Sequence, residues 1–138
     1  MRGLSSLIRL HRWRLDEKRR ELAALEQLAA DLRGQMTQLE IDVKAEQEAA
    51  KSTESGAFAY AGYAQGVIDR RAKLGTSLTE VEGRIKLQDD SVKETFRELK
   101  RYEITMAERK KRARHEADRR EQAAADETSL KMHIRKSG

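Results

Sequence analysis

From Ala57 to about Glu127 the chain holds some seventy residues with no proline, and apolar side chains recur along them at heptad spacing. Proline is the residue a helix interior tolerates least, at about 3 kcal/mol. Without it, the stretch is free to run as one helix. At 1.5 Å of rise per residue that helix would be on the order of 105 Å long. No globular core wraps such a length, so the helix must lie along another helix or stand in water.

The N-terminal part supplies the other helix. Alternate steps of four and three from Leu4 meet Ile8, His11, Leu15, Lys18, Leu22, Leu25, Ala29, Leu32, Met36, Leu39, Val43, Glu46 and Ala50. This is a mostly apolar seam between charged flanks, and it predicts a first helix over about 4–50. The stretch Lys51-Ser52-Thr53-Glu54-Ser55-Gly56 has no apolar residue and several that favour caps and turns. It predicts a bend over 51–56, with Ser55 as a cap and Gly56 at positive φ. The seam resumes through Ala57, Tyr60, Ala64, Val67, Arg71, Leu74, Leu78, Val81, Ile85, Gln88, Val92, Thr95, Leu99, Tyr102 and Met106. A second helix is expected over about 57–127, with a frayed tail at 128–138.

Folding one helix back on the other sets Ile8 against Leu99, Leu15 against Val92, Leu22 against Ile85, Leu25 against Val81 and Leu32 against Leu74. The same register sets polar on polar, His11 opposite Thr95 and Lys18 opposite Gln88, and polar layers are a known way to fix register. Arg71 falls opposite Met36, where its stem can lie on the seam with its head in water. The expected fold is all-α: an antiparallel two-helix coiled-coil hairpin, one domain, with an overhanging second helix.

Charge is distributed to match. Residues 1–20 carry +5, 21–56 carry −5, 57–96 balance, and 97–138 carry +5. A hairpin brings the two basic blocks together at one end. Past Met106 the sequence AERKKRARHEADRREQAAADE contains no Leu, Ile, Val or Phe, so this arm has no partner within the chain. Glu-to-basic pairs one turn apart (Glu40–Lys44, Glu80–Arg84, Glu82–Lys86, Glu108–Arg112 and Glu116–Arg120) are each expected to add a few tenths of a kcal/mol. Gly62, Gly66, Gly75 and Gly83 interrupt the second helix; they read either as close backbone approach and tolerated weakness, or as a stretch that bends on binding.

Chemistry is sparse. There is no cysteine, which excludes disulfides and thiolate metal sites and fits a reducing compartment. The N-terminus lacks the apolar core of a signal peptide, and no apolar run approaches the ~20 residues of a membrane span. These features predict a cytoplasmic protein without membrane insertion. His115-Glu116 begins like a metalloprotease helix, but Arg119 stands where the second histidine is needed. No phosphate-cradling loop occurs. Neither metal, cofactor nor catalytic group is expected, and the chain reads as no enzyme. The run Arg109-Lys110-Lys111-Arg112 with Arg114 is broken by acidic neighbours and contains no aromatic to stack on a base, so an acidic protein surface suits it better than nucleic acid. Phe58 and Tyr63, beside the seam near the bend, are candidate docking anchors or hairpin closures. Trp13, off the seam near the basic end, either covers the second helix near Val92–Phe96 or meets a partner.

Taken together, LIRLHRWRLDEKRRELAALE, FAYAGYAQGVIDRRAKLGTS, ETFRELKRYE and REQAAADE resemble the flagellar export protein FliJ family, in its alphaproteobacterial version, over nearly the whole chain. The resemblance implies a soluble coiled-coil hairpin of the flagellar type III export apparatus, which serves motility and chemotaxis. It implies a stalk like that of rotary ATPases, whose paired ends enter the ring of the export ATPase. It further implies contact with the export gate membrane protein and with export chaperones, at the cytoplasmic face of the inner membrane. Carried onto this sequence, the ATPase-facing residues are Arg9, Arg12, Trp13, Arg109, Lys110, Lys111, Arg112 and Arg114. The gate-facing positions match Phe58, Tyr63 and Val67, whereas Asp42, Ala45 and Glu46 stand where larger apolar groups are expected. The rival readings are a generic coiled-coil adaptor or chaperone that binds client helices through Phe58, Tyr63 and the bend, and the equivalent stalk of an injectisome.

Overall fold

The computed structural model describes residues 2–52 and 54–137. It consists of α1 (Arg2–Ala50) and α2 (Glu54–Ser137), and no strand occurs among the described residues. The helices pack against each other as an antiparallel hairpin. Packing divides the chain into two compact units, Met1–Trp13 with Thr95–Gly138, and Arg14–Glu94.

In the unit Arg14–Glu94 the core is Ala29, Leu32, Leu39, Val43, Val67, Leu74 and Val81, with Met36, Tyr63, Leu78 and Ile85 packed against it. All but Tyr63 lie on the heptad seam. Each helix offers only one stripe to the other, so the core is one side chain deep. Burying a Leu or Val side chain in such a core contributes at most roughly 1.5–3 kcal/mol. Among the expected seam residues of this unit, Glu46, Ala57 and Arg71 are exposed.

The polar layer at Gln88 forms as expected. Its side-chain amide donates to the Lys18 carbonyl at 3.0 Å and to Glu21 Oε2 at 3.1 Å. A one-heptad slip would set Arg14 or Leu28 where Glu21 stands and lose the bond to its carboxylate, so Gln88 favours this register. Nearer the bend, Gln47 donates to the Tyr60 hydroxyl at 3.0 Å, again in the expected register. Arg71 does more than lay its stem along the seam. Its guanidinium donates to both Glu40 oxygens, at 2.5 and 2.7 Å, and these bonds hold the Glu40 carboxyl below its ordinary range and push Arg71 up. Arg33 meets Glu82 at 3.1 Å in the same way. Glu40 and Glu82 thus bond across the hairpin rather than to Lys44 and Lys86 on their own helices. Glu116–Arg120 does form within α2, at 3.5 Å.

The bend is tighter than the composition suggests. α2 begins at Glu54, so Ser55 and Gly56 belong to its first turn rather than to a cap and a turn, and no described glycine has positive φ. Thr53 lies outside the described residues. Ser52 closes α1 instead: its N–H and hydroxyl both donate to the Ala49 carbonyl, at 3.4 and 2.6 Å. Glu54 then sits where the positive end of the α2 dipole favours an acid. At the far end α2 continues to Ser137, ten residues beyond the point where fraying is expected. Arg135 and Lys136 complement the C-terminal dipole, Lys131 pairs with Glu127 at 3.6 Å, and the Ser137 hydroxyl donates to the His133 carbonyl at 3.0 Å.

The α2 glycines do not mark close approach, because a Cβ at Gly62, Gly66, Gly75 or Gly83 would meet nothing within 4 Å. Each therefore lowers the helix propensity of α2 without easing any contact. Gly83→Ala is therefore expected to stabilise the protein by about 0.5–1 kcal/mol in urea unfolding. A destabilised variant would mean that the open backbone at Gly83 is needed by the fold.

Candidate functional site

The unit Met1–Trp13 with Thr95–Gly138 contains the paired basic end. Ile8 and Leu99 are buried there, as are His11 and Thr95, at 5% and 4% exposure. These are the two polar residues that the register places opposite each other. His11 is fully engaged: Nδ1 bonds the Leu7 carbonyl at 2.9 Å, Nε2 meets Glu98 at 3.2 Å, and Tyr102 meets the ring edge-on at 4.9 Å. A buried histidine with both nitrogens and an edge occupied is a structural layer, which leaves function to the surface around it.

That surface is cationic with one acidic clamp. Arg12 meets Glu103 at 3.5 Å and Lys100 meets it at 3.9 Å, while Lys100 also lies over the Phe96 ring at 5.3 Å. Ile8 and Arg12 of α1 join Glu103, Met106, Ala107 and Lys110 of α2 around a shallow cleft. The structure thus brings two of the expected contact residues, Arg12 and Lys110, to one place. Arg9, Arg109, Lys111, Arg112 and Arg114 are exposed, and every described residue from Ala107 onward is exposed as well. Trp13 keeps 62% of its surface in water, so it is not covered by α2. Leu10, one turn away, is exposed beside it. The sequence did not single out Leu10 or the Glu103 clamp. Both signals were present, an apolar residue off the seam and an acid within a basic block.

In the unit Arg14–Glu94 the aromatic positions separate. Phe58 is 86% exposed. Tyr63 is half-buried against the core, and burial, then Glu46 and Asp42, push its phenol above the ordinary value. Val67 is itself in the core at 5% exposure, so it supports the surface from beneath. Tyr63, Val67, Gly62 and Gly66 line a groove whose opposite wall is Gln38, Leu39 and Asp42. Asp42 of α1 thus stands across this groove from Tyr63, and Glu46 lines a neighbouring one with Tyr60 and Tyr63.

Neither unit contains the makings of a metal centre: no three His, Asp or Glu side chains gather among the described residues. No helix is long and apolar enough to cross a membrane. The whole sequence, residues 1–138, matches the family model described as flagellar FliJ protein. The chain is a member of that family. No curated protein and no solved structure matches it. Membership in the FliJ family gives the chain a role associated with flagellar protein export, and its hairpin of two packed helices suits the coiled-coil character read from its heptads.

Proposed function

We propose that this FliJ-family protein is the non-enzymatic stalk of the flagellar type III export ATPase, coupling the ATPase ring to the export gate and to chaperones. One observation carries the reading: the basic end projects a single exposed helix beyond the paired part. Successive residues of a helix are about 100° apart, so Arg109, Lys110, Lys111 and Arg112 present cations around its whole circumference. A shaft inside a ring faces subunits on every side, whereas a binder of one flat surface needs charge on one face only. Arg9, Arg12 and Trp13 form the collar at its base. Asymmetric contacts with successive subunits would bias their nucleotide states, which is a coupling free energy between sites. Phe58 and Tyr63 are the proposed gate-facing anchors, and the protein acts in the cytoplasm, peripheral to the inner membrane.

The charge claim is tested by reversal. Glutamates at Arg109, Lys110, Lys111 and Arg112 should weaken binding to the export ATPase at least about tenfold and flatten its salt dependence. The same reversals at Lys73 and Lys86, exposed residues of the other unit, should leave binding within about twofold. Equal losses from both sets would refute a specific basic shaft.

A further inference from the structure

The heptad stripe of α2 does not stop where α1 ends. From Tyr102 and Met106 the same three-and-four steps continue without interruption through Arg109, Ala113, Glu116, Arg120, Ala123, Glu127, Leu130 and Ile134. All eight are exposed, Leu130 and Ile134 at 60% and 61%. A solvated arm has no need to keep phase with the hairpin seam or to return to leucine and isoleucine on that stripe.

We propose that this stripe pairs with the same stripe of a second copy of the chain, the two arms lying antiparallel about a two-fold axis near Asp118. The layers themselves select this arrangement. With Asp118 at the centre, Met106 meets Leu130 of the other copy, Arg109 meets Glu127, Ala113 meets Ala123, and Glu116 meets Arg120; two-fold symmetry repeats each pair. Apolar meets apolar, small meets small, and every charge meets its opposite. A slip of one heptad in one direction sets Glu116 against Glu127, and in the other sets Arg109 against Arg120. Parallel pairing sets each of the four charges against itself, so only one register satisfies all the layers. Glu116 and Arg120 already pair within each helix at 3.5 Å, and at the axis they become a four-charge cluster. The alanine layers allow close approach but bury little area, so the dimer is weak and reversible. Arg109 belongs both to this stripe and to the run proposed to face the ATPase, so a self-paired arm is withheld from the ring. That consequence rests on the stalk reading, whereas the dimer does not.

Because the chain has no cysteine, crosslinking reads the register directly. Full-length Ala113→Cys and Ala123→Cys proteins, mixed under mild oxidation, should form a disulfide-linked dimer at least about tenfold faster than either protein alone. Faster linkage of each protein with itself would show parallel pairing and overturn the proposal, as would no linkage in any combination. Sedimentation without crosslinks gives the second readout. Arg109→Glu should abolish the concentration-dependent dimer, and adding Glu127→Arg should restore it. A double variant that remains monomeric overturns the register, and loss of ATPase binding by an otherwise dimeric protein leaves the dimer standing.

Discussion

Leu74→Ala should lower the unfolding free energy by about 2–3 kcal/mol, the lower part of the usual range for a buried leucine. Leu74 is 8% exposed and belongs to the central cluster with Leu32 and Val81. The core is one layer deep, so water can reach part of the space left by the missing side chain, which keeps the loss from the top of the range. Leu87 is the control, because it is on the same helix but 72% exposed. Leu87→Ala should stay within about 0.5 kcal/mol of the parent. Urea unfolding of the two variants decides the matter. Similar losses at both positions would mean that the seam is not what holds the helices together. Against a typical total stability of about 5–15 kcal/mol, the Leu74 loss is large enough to shift the midpoint clearly.

Most of this seam was legible because a coiled coil writes its contacts into the spacing of residues. Ile8, Leu15, Leu32, Leu39, Val43, Val67, Leu74, Val81 and Leu99 were all placed by steps of three and four and are all buried. So were the polar partners His11 and Thr95. What escaped the spacing depends on the third dimension. Glu40 and Glu82 had suitable bases one turn away, yet Arg71 and Arg33 reach them across the hairpin. Spacing within one helix cannot rank those choices. α2 starts earlier than the turn preference of Ser55 and Gly56 suggests, because residue preference is weak beside the gain from continuing a helix that already packs. The tail was expected to fray for want of packing, whereas its charges and end residues favour the helix without any.

The candidate site was legible in its charges and less so in its geometry. The basic blocks and the overhang could be counted from the sequence. That Glu103 sits between Arg12 and Lys100, and that Val67 lies beneath the aromatic surface rather than on it, required the packed helices.

Removal of residues 107–138 is expected to have the largest functional effect. Every described residue in that stretch is exposed, so the truncation takes away no buried side chain, and thermal unfolding should stay close to that of the full chain. On the stalk reading, affinity for the export ATPase should nevertheless fall by about a hundredfold or more, because the proposed cationic shaft is gone. On the same reading Phe58→Ala, in the unit Arg14–Glu94, should leave that affinity unchanged and weaken the proposed gate interaction instead. An adaptor that works through the bend would show the opposite pattern, keeping its partner without the arm and losing it with Phe58. A truncated protein that melts far below the parent would show that the arm stabilises the hairpin, and the affinity loss would then be read from the charge-reversed full-length chain.

The most direct measurement is the ATP hydrolysis rate of the purified export ATPase, titrated with the full-length protein at low and at moderate salt. The stalk reading predicts a saturable rise in turnover that requires Arg109–Arg112 and shrinks as salt is added. A rate that stays flat across the titration, with no salt-sensitive complex at any concentration, would contradict it.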